Sequence, residues 1–179
     1  MVPEKRIPHM TDSKPYRVLF VCLGNICRSP AAEIIFKQMV AEQGLEGVVE
    51  SDSAGMIGYH RGCPPDERML RALQKYGYRD PGLRARPVEK DDLDRFDLIL
   101  GMDRENLRDL KRLDAGGRHA GKIVPMCSFV TQFPDKEVPD PYFGGQDGFD
   151  HVVLLLQDAC SHLLEQVKER LARRGDEMQ

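Results

Sequence analysis

The chain contains no tryptophan and no long apolar run. Without roughly 20 consecutive apolar residues, no segment qualifies as a membrane-spanning helix. Residues 1–15 are polar and interrupted by prolines, so no secretory signal is read there. Neither sign of charge dominates: 26 Lys and Arg stand against 29 Asp and Glu, a net charge of −3. That argues against a nucleic-acid binder driven by overall charge, though not against a local basic patch. Cysteine is sparse, with five residues at 22, 27, 63, 127 and 160 and no CxxC pair. The odd count argues against a secreted disulfide framework, and the spacing against a zinc ribbon. The expectation is a cytoplasmic protein in a reducing compartment, with no metal and no cofactor.

What is present reads as alternating strands and helices. Residues 17–22 form a continuous apolar run, as in a strand buried on both faces. Pro30 suits a first helical turn, and a helix follows over 30–43, ending at Gly44. A short strand is read at 48–53, a helix at 66–76 and a weak helix at 89–95. A strand follows at 97–102, then a helix to about Leu113 with Asp103 as its cap. Lys122 to Met126 gives a fourth strand. From Phe149 to Leu171, apolar residues at helical spacing give the last helix one apolar face. Four strands separated by helices imply an α/β single domain. Its core would be a parallel four-stranded sheet with helices on both faces and a phosphate-binding loop after the first strand. The domain is expected over 16–172, with 1–15 a disordered extension and 173–179 a flexible tail. In such folds ligands bind at the carboxyl ends of strands, where Cys22 lies.

The segment Cys22-Leu23-Gly24-Asn25-Ile26-Cys27-Arg28-Ser29 joins that first strand to the first helix. A loop at a helix N-terminus can aim several backbone N–H groups at a phosphate. Gly24 is expected to supply backbone angles that other residues resist. Asn25 tolerates left-handed geometry and can brace the loop. Arg28 offers a planar fork for two phosphate oxygens. The same donors favour an anionic sulfur on Cys22, and Ser29 can donate to it. Cys22 then reads as a nucleophile at the floor of a phosphate pocket, against the plainer reading of a buried structural cysteine beside a surface arginine.

These residues resemble the low-molecular-weight protein tyrosine phosphatases. The stretch VLFVCLGNICRSP (Val18–Pro30) matches that family's signature. The likeness continues through Asp52-Ser53-Ala54-Gly55, Pro64-Pro65-Asp66, Ala85-Arg86, Phe96-Asp97, Met102-Asp103, Asn106-Leu107 and Asp140-Pro141-Tyr142. The resemblance implies that Cys22 is the nucleophile and that Arg28 binds the phosphoryl group. Asn25 and Ser53 would hold the loop in shape. Asp140 would be the general acid, protonating a phenolate and later activating water. Taken alone, Asp140 before a proline reads as a turn residue. Tyr59 and Tyr142 would form aromatic cleft walls suited to a phosphotyrosine ring; taken alone, either is partly exposed packing. Cys27 would be a redox partner, closing a reversible disulfide that spares Cys22 irreversible oxidation. Its plainer reading is loop packing. Cys63, Cys127 and Cys160 read as structural or incidental.

The sequence departs from the family pattern in places. Leu83 stands where many members carry a histidine that supports the loop, and Phe143 replaces the second tyrosine of the usual pair. The expected partners are a phosphotyrosine-containing protein substrate and inorganic phosphate, with no nucleic acid or membrane, and a monomer or weak dimer. The alternatives are a protein arginine phosphatase of the same family, an arsenate reductase, and a phospho-binding or phosphocarrier module. Ile26, where arginine phosphatases commonly have threonine, favours phosphotyrosine. The lack of a further cysteine pair after Tyr76 disfavours the reductase, and Arg28 disfavours a carrier.

Overall fold

The computed structural model describes residues 14–177. The expected amino-terminal extension therefore lies outside the described residues, apart from Lys14 and Pro15. Strands β1 (Tyr16–Cys22), β2 (Val49–Gly55), β3 (Leu98–Gly101) and β4 (Ile123–Pro125) form a parallel sheet in the order β2-β1-β3-β4. Helices are α1 (Arg28–Glu42), α2 (Glu67–Lys75), α3 (Asp92–Arg95), α4 (Arg104–Leu113) and α5 (Gln146–Glu177).

β1 is central, and its side chains alternate between two cores. Val18, Phe20 and Cys22 pack with residues of α1, α2 and α5. Leu19 and Val21 pack with Leu93, Leu110 and Ile123 on the opposite face. Beyond the exposed Arg17, the strand is covered on both sides, which explains the unbroken apolar run from Val18 to Cys22. α5 lays the buried stripe Phe149, Val152, Val153, Leu156, Cys160, Leu163, Leu164, Val167 and Leu171 over the first of these cores. Cys160 is part of that packing: its Sγ lies 3.7 Å from the Ala32 carbonyl, and burial pushes its thiol up.

Element boundaries differ from the sequence reading in instructive ways. α1 begins at Arg28, so Pro30 is its third residue, a position whose N–H has no intrahelical acceptor to lose. β2 continues to Gly55 because Ala54 and Gly55 still pair with Val21 and Cys22. The weak helix shrinks to Asp92–Arg95. β4 stops at Pro125, which lacks an N–H, and a 3-10 turn takes over at Met126–Phe129. α5 runs through Glu177, so residues 173–177, expected as a flexible tail, are helical, while 178–179 lie outside the described residues.

β2 flanks β1 on one side and β3 on the other, so the winding of the chain reverses at the carboxyl end of β1. A crevice opens where connections leave a sheet in opposite directions. The Cys22 loop occupies that crevice.

Candidate active site

The loop from Cys22 to Ser29 is held by its carbonyls. Those of Cys22, Leu23 and Ile26 accept from the N–H groups of Met56 (2.9 Å), Ile57 (3.0 Å) and Asp66 (2.8 Å). A planar trans peptide whose carbonyl points one way points its N–H the other. The N–H groups of Leu23, Gly24 and Cys27 therefore turn away from these neighbours. Among the described residues, they meet no protein acceptor, nor do those of Ile26, Arg28 and Ser29. α1 adds its own positive end: Cys27 at its N-cap makes no capping bond, and its first turn has no acidic residue.

The left-handed residue of the loop is Asn25, at φ 58°, and not Gly24. Glycine at 24 serves space instead: a Cβ there would sit 3.0 Å from Cδ2 of His60. Gly55 meets a tighter limit, since its Cβ would come within 2.8 Å of the Leu23 carbonyl oxygen. The end of β2 thus lies directly against the loop.

Asn25 is the hub of the buried network. Its Nδ2 donates to Ser29 Oγ (2.8 Å) and to Ser53 Oγ (3.0 Å). Its Oδ1 accepts from the Arg86 backbone N–H at 3.0 Å. Ser53 Oγ in turn donates to Glu33 Oε1, 2.7 Å away. Because Ser29 Oγ accepts from Asn25, its proton is free to point at Cys22 Sγ (2.9 Å), a closer acceptor than the Ala54 carbonyl at 3.5 Å. The Asn25 N–H also approaches that sulfur, at 3.3 Å. Glu33 is buried and paired with Lys37; burial pushes its carboxyl up, against the pull of Lys37 and Ser53.

Arg28 is 3% exposed. Its Nη1 donates to Asp103 Oδ2 (2.7 Å) and to the Val138 carbonyl (3.0 Å), while Nη2 lies 3.6 Å from Asp140 Oδ2. Burial pulls the guanidinium down, but the Cys22 sulfur, Asp103 and Asp140 outweigh it and raise it further above its ordinary value. The group is a fixed cation, steered by Asp103 toward the loop.

Cys22, Arg28, Asp140, Tyr59 and Tyr142 all line one cleft of about 250 Å³, together with Leu23, Gly24, Ile26, Cys27, Ile57, His60 and Phe143. The structure thus brings together the residues that the sequence singled out, with Ser29, Asn25 and Ser53 behind them. Tyr59 is a looser wall than expected: it is 84% exposed and rests edge-on against His60, with ring centroids 4.8 Å apart. Cys22 and Cys27 are both free thiols. Burial, followed by Asp66 and Cys22, pushes the Cys27 thiol well up. Among the described residues, no group of three or more His, Cys, Asp or Glu is gathered as a metal site.

Sequence reading missed His60, Glu33, Arg86 and the second role of Asp103. His60 follows Tyr59 directly, but nothing in the loop pattern marks which side chain turns inward. Arg86 acts through its backbone, which no sequence pattern reports. Its guanidinium meanwhile bridges Asp52 (3.0 Å) and the buried Asp92 (2.9 Å).

Residues 17–173 match the sequence model of the low molecular weight phosphotyrosine protein phosphatase family. The chain is 43% identical over 152 residues to the low molecular weight protein-tyrosine-phosphatase YfkJ of Bacillus subtilis, covering 85% of this chain and 96% of that one. The crystal structure of YfkJ superposes with a TM-score of 0.82, covering 88% of this chain and 98% of YfkJ. A protein tyrosine phosphatase from Entamoeba histolytica, with Hepes in its active site, gives a TM-score of 0.82 at 40% identity over 86% of this chain and 97% of its own. The Drosophila arginine phosphatase DARP shares the fold at 32% identity and a TM-score of 0.76, covering 84% of this chain and 97% of DARP. The signature loop, the sheet order and a match over nearly the whole described chain agree: this chain belongs to the low molecular weight phosphotyrosine protein phosphatase family.

Proposed function

We propose that this protein hydrolyses phosphotyrosine in proteins, in two steps through a phosphocysteine on Cys22. The observation that carries the reading is the placement of Cys22 Sγ beneath an uncapped helix end, with Arg28 beside it and Asp140 on the same cleft. The phosphoryl oxygens would take the N–H groups of Leu23, Gly24, Ile26, Cys27, Arg28 and Ser29, and the free edge of Arg28. Cys22 attacks phosphorus as the thiolate, forming an S–P bond as the P–O bond to the phenol breaks. Asp140 gives its proton to the departing oxygen. Water then attacks the phosphocysteine and loses its proton to the Asp140 carboxylate. Inorganic phosphate leaves, and the sulfur recovers its electron pair under the Ser29 and Asn25 donors.

Two variants test this. Cys22→Ser is expected to lose all measurable turnover of aryl phosphates; full activity would sink the reading. Asp140→Ala is expected to slow release of phenols of high pKa by about 10²-fold or more, and phenols of low pKa far less. Equal slowing of both removes Asp140 from the role. Phosphate and vanadate are expected to compete with substrate.

Phosphoarginine is the second reading, because DARP shares this fold. Ile26 and the apolar rim of Leu23, Ile57, Tyr59, Tyr142 and Phe143 favour a flat aromatic substrate over a guanidinium. Phosphotyrosine, phosphoarginine and phosphoserine peptides compared by kcat/KM decide between the readings. Peroxide treatment is expected to join Cys22 and Cys27 in a disulfide detectable by peptide mapping; its persistent absence would remove Cys27 as redox partner.

A further inference from the structure

The loop that carries Asp140 has little of its own to hold it. Residues 139–145 have no regular secondary structure and include Gly144 and Gly145. Their internal bonds are local: the Tyr142 N–H donates to Asp140 Oδ1 (3.1 Å) and the Gly144 N–H to the Pro141 carbonyl (3.0 Å). Among the described residues, one hydrogen bond reaches this backbone from more than three positions away. It runs from Arg68 Nη1 to the Tyr142 carbonyl, at 2.9 Å.

Arg68 is itself fixed from several directions. It sits near the start of α2, where Asp66 is the N-cap and accepts from the Arg68 backbone N–H (2.8 Å). The Asp66 carboxylate also takes Nε (3.1 Å) and Nη2 (2.9 Å) of the guanidinium, so the fork is held on one edge and presents Nη1 to the loop. The guanidinium carbon lies 5.3 Å from the Tyr142 ring centroid and 4.6 Å from that of Phe149, which is fully buried at the start of α5. The Arg68 carbonyl accepts from Gln146 Nε2 at 3.0 Å, tying the other end of the loop to the same residue. A planar cation that bridges a cap, a loop carbonyl and two rings fixes position in a way that a flexible ammonium cannot.

We infer that Arg68 is the positioning residue for the acid loop: braced by Asp66, it clamps the Tyr142 carbonyl and so sets where the Asp140 carboxyl meets the leaving oxygen. The inference rests on the acid role proposed for Asp140. Arg68 does not line the cleft and touches no reacting atom; it acts through residue 142 on a side chain two positions away. Displacing a catalytic group by about 1 Å is enough to cost up to about 10²-fold in rate.

The test compares Arg68→Met, Arg68→Lys, Asp140→Ala and Asp140→Ala/Arg68→Met on aryl phosphates whose phenols span a range of pKa, with inorganic phosphate as inhibitor. Arg68→Met is expected to lower kcat for phenyl phosphate by about 10-fold, and for a dinitrophenyl ester by less than about 3-fold. The phosphate inhibition constant should stay within about twofold, because the Cys22 loop and Arg28 are untouched. In the Asp140→Ala background, Arg68→Met should add no further leaving-group dependence. Arg68→Lys keeps the charge and loses the fork, so it should fall between wild type and Arg68→Met; if Arg68→Met does not fold, Arg68→Lys carries the same comparison. A loss equal across all leaving groups, or a loss that persists undiminished without Asp140, overturns the inference. If Asp140→Ala itself shows no leaving-group effect, the acid assignment falls and the clamp with it. A steep Asp140→Ala profile beside a flat Arg68 profile removes the clamp alone.

Discussion

Asn25 shows how much one side chain can carry. It is the non-glycine residue with positive φ among the described residues, and it makes three side-chain hydrogen bonds. Two substitutions separate conformation from bonding. Asn25→Gly accepts the left-handed backbone but loses the bonds; Asn25→Ala loses both. Both are expected to cost on the order of 10²-fold in kcat by releasing Ser29 and the loop, if a misplaced donor costs what loss of an oxyanion donor does. Asn25→Ala should also unfold about 1 kcal/mol more easily than Asn25→Gly, measured by urea titration. Equal stability would mean that the left-handed angle carries no strain. Asn25 was legible in the sequence as a turn-tolerant brace. Glu33, the end of the same network, was not, because a glutamate inside a helix looks like any solvated charge until Ser53 is known to face it.

Helix ends determine the chemistry at the scale of elements. α1 leaves its N-terminus uncapped and aimed into the cleft, whereas α4 is capped on both counts. Asp103 Oδ1 accepts from the Asn106 N–H (2.8 Å), and Oδ2 holds Arg28 (2.7 Å). The cap was visible in the sequence; the arginine, 75 positions earlier, was not. The two roles separate on substitution. Asp103→Ser should keep the cap and the stability of α4 while letting Arg28 wander, and so weaken inhibition by phosphate. Asp103→Ala should do the same and also lose about 1 kcal/mol of stability. The pair is read by phosphate inhibition constants beside urea midpoints. Phosphate inhibition unchanged in both variants would show that Arg28 needs no such anchor.

Over the whole molecule, the site depends on charge buried outside it. Asp92 is fully buried and holds Arg86, whose backbone N–H holds Asn25. Burial pushes the Asp92 carboxyl up, but Arg86, the Glu89 N–H and Arg95 prevail and hold it below its ordinary value. A depressed carboxylate contributes stability above its unfolded pKa of about 3.9, and that contribution is lost as pH falls through the lower folded value. The protein should therefore lose stability in acid partly through Asp92. Asp92→Asn should be destabilised by about 3–5 kcal/mol at neutral pH, as when one partner of a buried pair is removed. Its melting temperature should also fall less steeply below pH 4 than that of the wild type; parallel slopes would assign the acid sensitivity elsewhere. The sequence by itself determined the order of strands and helices and the Cys22–Ser29 loop, with its candidate nucleophile and arginine. These follow from local periodicity, from caps and from a contiguous eight-residue motif. Only the tertiary structure decided which groups support them. Arg68 beneath the Asp140 loop, Asp103 behind Arg28 and Glu33 behind Ser53 are partners across long stretches of chain. Such contacts exist only once the sheet is wound and α5 is laid against it, because long-range pairing depends on geometry that no local pattern encodes.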